Sequence, residues 1–194
     1  WRIVKKYLPL FRFLPFVEGV FVSGSLAAGT VREGSDFDFL VISQPNRLYT
    51  LRLFSVIFFD LLGIRRKPAH EDREIRNKVC LNHYLSIDSL VMKDQLVEGM
   101  FLYTRLVPVY LRNETLINHF FRANEWIRDY FFRSSFEERV RFSERPRVTC
   151  SWNFMRVFLE FVFRGHIGDA LEVYMHKWQK KRIPEEQNLF ATPH

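Results

Sequence analysis

Val22-Ser23-Gly24-Ser25-Leu26-Ala27-Ala28-Gly29 and, a few residues on, Gly34-Ser35-Asp36-Phe37-Asp38-Phe39-Leu40-Val41-Ile42 are the two runs on which the reading of this chain turns. Residues 17–23 are β-branched and aromatic and predict a strand, which Gly24 breaks. Gly24 has no Cβ, so the backbone can turn tightly there and approach a ligand. Residues 25–28 predict a short helical turn whose first N–H groups favour a phosphate, with the Ser25 hydroxyl as a further donor. Glu33-Gly34-Ser35 lead into a second predicted strand over residues 36–43. Asp36 and Asp38 stand two apart on it and project from one face, while Phe37, Phe39 and Val41 take the other. Two carboxylates roughly 7 Å apart at Cα suit hard cations with oxygen ligands. Two Mg²⁺ ions about 4 Å apart would clamp the attacking and leaving oxygens of an in-line phosphoryl displacement. Like charges this close repel, so without a cation one of the pair is expected to have a raised pKa.

Working outward, residues 1–14 read as an irregular helix, interrupted by Pro9 and stopped before Pro15. Residues 48–62 predict a long helix with Gly63 at its C-cap and Pro68 as a stop. Residues 70–77 are charged and read as a loop, and residues 78–87 as a third strand. From about Gln95 the pattern becomes helical. Trp152, Met155, Leu159 and Val162 recur at helical spacing, as do Leu171, Tyr174, Met175 and Trp178. The expected division is therefore a strand-containing core over residues 1–94 and a helical C-terminal domain over residues 95–194.

With 194 residues, 47% of them hydrophobic, the chain has enough apolar material for a sizeable core and is not of disordered composition. Its 21 phenylalanines point to aromatic packing rather than to a chemistry. The net charge of +7 favours polyanionic partners such as nucleotides or nucleic acid. Residues 1–15 carry Lys5 and Lys6 and lack the uncharged apolar run of a secretory leader. The most apolar stretch, residues 48–63, contains Arg52 and Asp60 and reads as a buried helix, so no membrane partner is expected. Cys80 and Cys150 show no zinc spacing, and a reduced, cytoplasmic setting is the default expectation.

The two opening runs resemble the signature of the DNA polymerase β-like nucleotidyltransferase superfamily, Gly-Ser followed some ten residues later by Asp-x-Asp, as in its small bacterial members. Residues 79–86 are similar to a strand of uncharacterised bacterial members. The resemblance implies an α+β fold: a small mixed sheet with helices on one face, followed by a helical C-terminal region. It implies that Gly24 and Ser25, with Ser35 and Arg32 nearby, bind the nucleotide, and that Asp36 and Asp38 bind Mg²⁺. The implied reaction transfers a nucleoside monophosphate from an NTP to an unidentified acceptor. Two departures stand out. Members usually supply a third carboxylate from a later strand, as base and metal ligand. On the third predicted strand Asn82 sits where that residue is expected, and an amide cannot act as a base near neutral pH. Asp88 at the strand's end is the nearest carboxylate, with Asp72 and Glu74 in the preceding loop. Ala28 stands where many members carry a basic residue, for which Arg32 is the nearest substitute.

Other groups read more plainly. The six histidines, at 70, 83, 119, 166, 176 and 194, have no metal-ligand spacing, and His83 is expected to face away from Asn82 as a core or loop residue. Ser25 lacks the Gly-x-Ser-x-Gly elbow of a hydrolase. Arg65-Arg66-Lys67 and Lys180-Lys181-Arg182 fall where cations complement a helix dipole, and phosphate contact is the competing reading. The stripes Trp152/Phe158/Phe161 and Tyr174/Trp178 are expected in the core. Three functions therefore compete. The first is a Mg²⁺-dependent nucleotidyltransferase, the second an inactive relative that binds or scaffolds, and the third a basic RNA-binding protein.

Overall fold

Short alternating runs make the sheet, and the parallel pair within it dictates a helical crossover. A computed structural model describes residues 1–30, 35–67, 78–91, 106–126 and 150–182. Strands β1 (Val17–Val22), β2 (Phe37–Ser43), β3 (Val79–Ser86) and β4 (Val107–Leu111) lie in the order β3-β2-β1-β4. β1 is antiparallel to β2 and β4, whereas β2 and β3 are parallel. The antiparallel step needs only a short link, which holds α2 (Gly24–Ala28). The parallel step requires a long crossover, supplied by α3 (Leu48–Leu61). This is the mixed-sheet α+β fold expected from the sequence.

Alternation along the strands sorts side chains to two faces. Val20, Val22, Phe39, Val41, Val79 and Leu81 join α1 (Arg2–Tyr7), the 3₁₀ turn Leu8–Phe13 and α3 in the larger core. Phe11 lies at its centre, its ring 5.1 Å from those of both Phe39 and Phe59. On the other face Phe21, Leu40, Ile42 and Leu85 meet α4 (Thr115–Ala123) through Leu116 and Phe120.

Two expectations need correction. The helical reading after Gln95 misses β4, a five-residue strand that pairs with β1. Among the described residues β4 is an edge strand, where Pro108 is tolerated because a missing N–H breaks no ladder on the open side. The aromatic stripes are not core: Phe158, Phe161, Tyr174 and Trp178 are exposed, and the Trp152 side chain lies outside the described residues. The reason is that α5 (Cys150–Phe163) faces the sheet with its charged side. Glu160 is buried, accepts a hydrogen bond from the Phe16 N–H at 3.0 Å and pairs with Arg112 and Arg156. Periodicity finds a stripe but does not say which side of a helix is covered.

α6 (His166–Arg182) completes the structure by capping another helix. Arg47 provides no side-chain cap for α3. Glu172 of α6 instead accepts from the Tyr49 N–H at 2.9 Å, the Thr50 N–H at 2.7 Å and the Thr50 hydroxyl at 2.6 Å. A carboxylate on these otherwise unpartnered donors also complements the dipole of α3. Arg47 fastens the same corner through Asp169, 2.7 Å away. Among the described residues no helix is long and apolar enough to cross a membrane.

Candidate functional site

The Ser23 N–H donates to the Asp38 carbonyl at 2.9 Å, one step beyond the Val22–Phe39 pair of β1 and β2. Residues paired in this way project from the same face of the sheet. Cys80 is the β3 partner of Asp38, so Ser23, Asp38 and Cys80 form a row across three strands. Immediately after Ser23 the chain turns at Gly24, in the left-handed region at φ +65°. A Cβ on Gly24 would lie 2.2 Å from Asp38 Oδ2. The glycine is thus demanded twice, by its backbone angle and by the carboxylate pressed against it.

Asp36 stands two residues before Asp38, and the intervening Phe37 is buried in the larger core, as the alternation requires. A carboxylate oxygen from each aspartate and the Cys80 sulfur all lie within 4.8 Å of one another. Burial is the main cause that raises the Asp38 pKa, followed by the charge of Asp36, while the Cys80 thiol and Arg66 oppose the rise. The raised pKa expected of this pair therefore occurs at Asp38, with desolvation ahead of like-charge repulsion. Burial and the Asp38 charge hold the Cys80 thiol far above its usual range. At neutral pH it is an S–H group beside a carboxylate, not a thiolate.

The family model described as a nucleotidyltransferase domain matches residues 3–95, a span containing the whole of this row. Over that span the chain is similar to a nucleotidyltransferase domain. No curated protein and no solved structure matches the chain. The match is consistent with a polymerase β-like superfamily member.

Within the matched span, Cys80, which the sequence reading did not assign to the site, stands beside Asp38. Just beyond this pair β3 is irregular: Asp38 pairs with Cys80, but Leu40 pairs with His83, so three steps on β3 oppose two on β2. The Asn82 side chain lies outside the described residues. His83 follows Cys80 on the site's face of the sheet, and burial lowers its pKa, so the imidazole is neutral at pH 7. Asp88 is exposed beyond the far end of β3, about 20 Å along the strand direction from Cys80, and does not join the cluster. Ser25 is the second residue of α2 and Ser35 precedes Asp36, both half-buried. Arg32, Asp72 and Glu74 lie outside the described residues.

The second residue not found from sequence is Arg66, whose Nη1 lies 2.6 Å from Asp36 Oδ2. How it arrives there is local chemistry. Gly63, at φ +66°, ends α3, its N–H bonded to the Asp60 carbonyl and that of Ile64 to Phe59. This glycine cap turns the chain, as expected of Gly63, and packs Ile64 against the core that holds Phe59. The next residues run along β3: Val79 N–H donates to Ile64 and Arg66 N–H to Val79. Neighbouring Arg65 makes a two-pronged pair with Asp60 at 2.8 and 2.9 Å. Arg65 and Arg66 are therefore bound to carboxylates, not merely placed at a helix end.

The donor set fits a divalent cation in part. Two carboxylates suit a hard cation, and the buried Ser23 hydroxyl, in the same row, has no hydrogen-bond partner among the described residues. The third position holds a neutral thiol rather than a carboxylate, and a guanidinium already engages Asp36.

Proposed function

We propose that the domain binds an NTP with one divalent cation, Mg²⁺ being the expected ion, and transfers the nucleoside monophosphate to an acceptor hydroxyl. The acceptor oxygen forms a bond to the α-phosphorus as the bond to the β-phosphate oxygen breaks, pyrophosphate leaves, and the hydroxyl's proton passes to water. The observation that carries this reading is Asp38 seated against Gly24 with Asp36 beside it. Asp36 and Asp38 hold the cation, while Gly24, Ser25 and Ser35 hold the phosphates. When bound, the ion neutralises charge on the phosphoryl oxygens. Transfer of this kind rests mainly on positioning and charge stabilisation, so a missing base slows it without abolishing it, by roughly 10²–10⁴-fold. An NTP substrate and a reduced thiol accord with a cytoplasmic setting.

Cys80 favours a second reading, a binding module that holds the metal–nucleotide but does not turn it over. A protonated thiol cannot take the proton from an acceptor hydroxyl. Pyrophosphate release, assayed with each NTP and Mg²⁺ over candidate acceptors, separates the two. Release that disappears in Asp38→Asn supports the enzyme. Nucleotide binding that depends on Asp38 without release supports the module. Salt-sensitive RNA binding indifferent to Asp38→Asn would instead favour the RNA-binding alternative.

A further inference from the structure

We infer that Arg66 is a resident cation occupying the share of Asp36 that a second metal ion would need, so that the site takes one divalent cation and not two. The inference rests on the proposed metal–nucleotide site and concerns how many ions it accepts.

Three observations carry it. First, the guanidinium Nη1 contacts Asp36 Oδ2 at 2.6 Å. Second, the contact is built into the fold: the glycine cap of α3 and the pairing of Ile64 and Arg66 with Val79 fix the arginine backbone at the start of β3. Third, the anionic donors among the described residues are few. Asp36 and Asp38 are the carboxylates of the cluster, and Arg66 sets a positive charge against one of them. A pair of divalent ions close together needs several carboxylates to offset their mutual repulsion. This cluster has a net charge near that required by a single ion shared with a nucleotide's phosphates. Arginine is suited to the role because it stays charged at all working pH values and its planar fork fits a carboxylate.

The test counts ions. Mn²⁺ alone is titrated into the full chain, bound and free ion being separated by electron paramagnetic resonance, with melting temperature recorded for every variant. Wild type is expected to bind one Mn²⁺ per chain, and Asp38→Asn to lose it. Arg66→Gln, relieved of its charge, is expected to accept a second ion and to bind the first at least about tenfold more tightly. Arg66→Lys keeps the charge and is expected to behave as wild type. A purely structural arginine would make Gln and Lys alike. Two ions in wild type, both lost in Asp38→Asn, would overturn the inference and leave the metal site standing. So would an Arg66→Gln protein that melts normally yet binds one ion with unchanged affinity. Absence of Mn²⁺ from wild type, or binding indifferent to Asp38→Asn, would remove the metal site and the inference with it.

Discussion

At the residue scale, Gly24 and Gly63 make a controlled comparison. Both have φ near +65°, but a Cβ at Gly24 meets Asp38 Oδ2 at 2.2 Å and one at Gly63 meets nothing within 4 Å. Alanine at either position incurs the strain of the left-handed region, about 1–2 kcal/mol. Only Gly24→Ala also displaces Asp38. Denaturant unfolding is expected to show both variants weakened, whereas Mn²⁺ binding is lost in Gly24→Ala and retained in Gly63→Ala. The Asp pair was legible in the sequence because its geometry is local: two positions on one strand share a face whatever the rest of the chain does. Cys80 and Arg66 were not legible. Their approach to the carboxylates depends on a parallel register set across the α3 crossover, on the pairing of Ile64 and Arg66 with Val79 and on the turn at Gly63. None of these leaves a mark at a fixed sequence spacing.

At the element scale, α3 and β3 are joined by a hydrogen bond of 2.5 Å between the Ser55 and Tyr84 hydroxyls. Burial, partly opposed by Ser55 and Arg52, raises the Tyr84 phenol to about 12 from an ordinary value of 10.0. The neutral phenol is thus favoured in the folded state. Its contribution is complete below the ordinary value and is lost as pH rises from there through about 12, because the unfolded chain gives up the proton first. Tyr84→Phe is expected to cost about 1 kcal/mol at pH 7, Ser55 keeping its bond to the Arg52 carbonyl. It should then lose less stability than wild type between pH 10 and 12, by up to about 1.4 kcal/mol per pH unit. Unfolding midpoints measured across that range for both proteins check the crossing. The elements themselves were largely readable: β1, β2, β3 and α3 follow from apolar alternation and from Gly63. β4 was not, since five residues containing Pro108 are too few to establish a period against a helical surround. Nor was the inward side of α5, because Glu160 becomes the buried residue only once Arg112, Arg156 and the Phe16 N–H meet it.

At the scale of the whole molecule, charge fastens the last two helices to the sheet domain. Glu160 grips the start of β1 and Glu172 caps α3, while Phe154, Phe158 and Phe161 stay in solvent. Glu172→Gln keeps the size of the side chain and weakens three charge-assisted bonds, which are worth about 1.5–3 kcal/mol in total or more. Hydrogen exchange at the Tyr49 and Thr50 amides is expected to accelerate at least about tenfold, with exchange in β1 and β2 unchanged. Equal acceleration in the sheet would mean that α6 supports the entire fold. The position of Cys80 has a further consequence. The residue is only 3% exposed and its sulfur, beside Asp38, resists ionisation, so an alkylating reagent reaches it only when the packing around it opens. The protein carries its own stopwatch: the rate at which this thiol is labelled times the opening of the sheet beside the aspartate pair, and anything that holds that region shut will slow the hand.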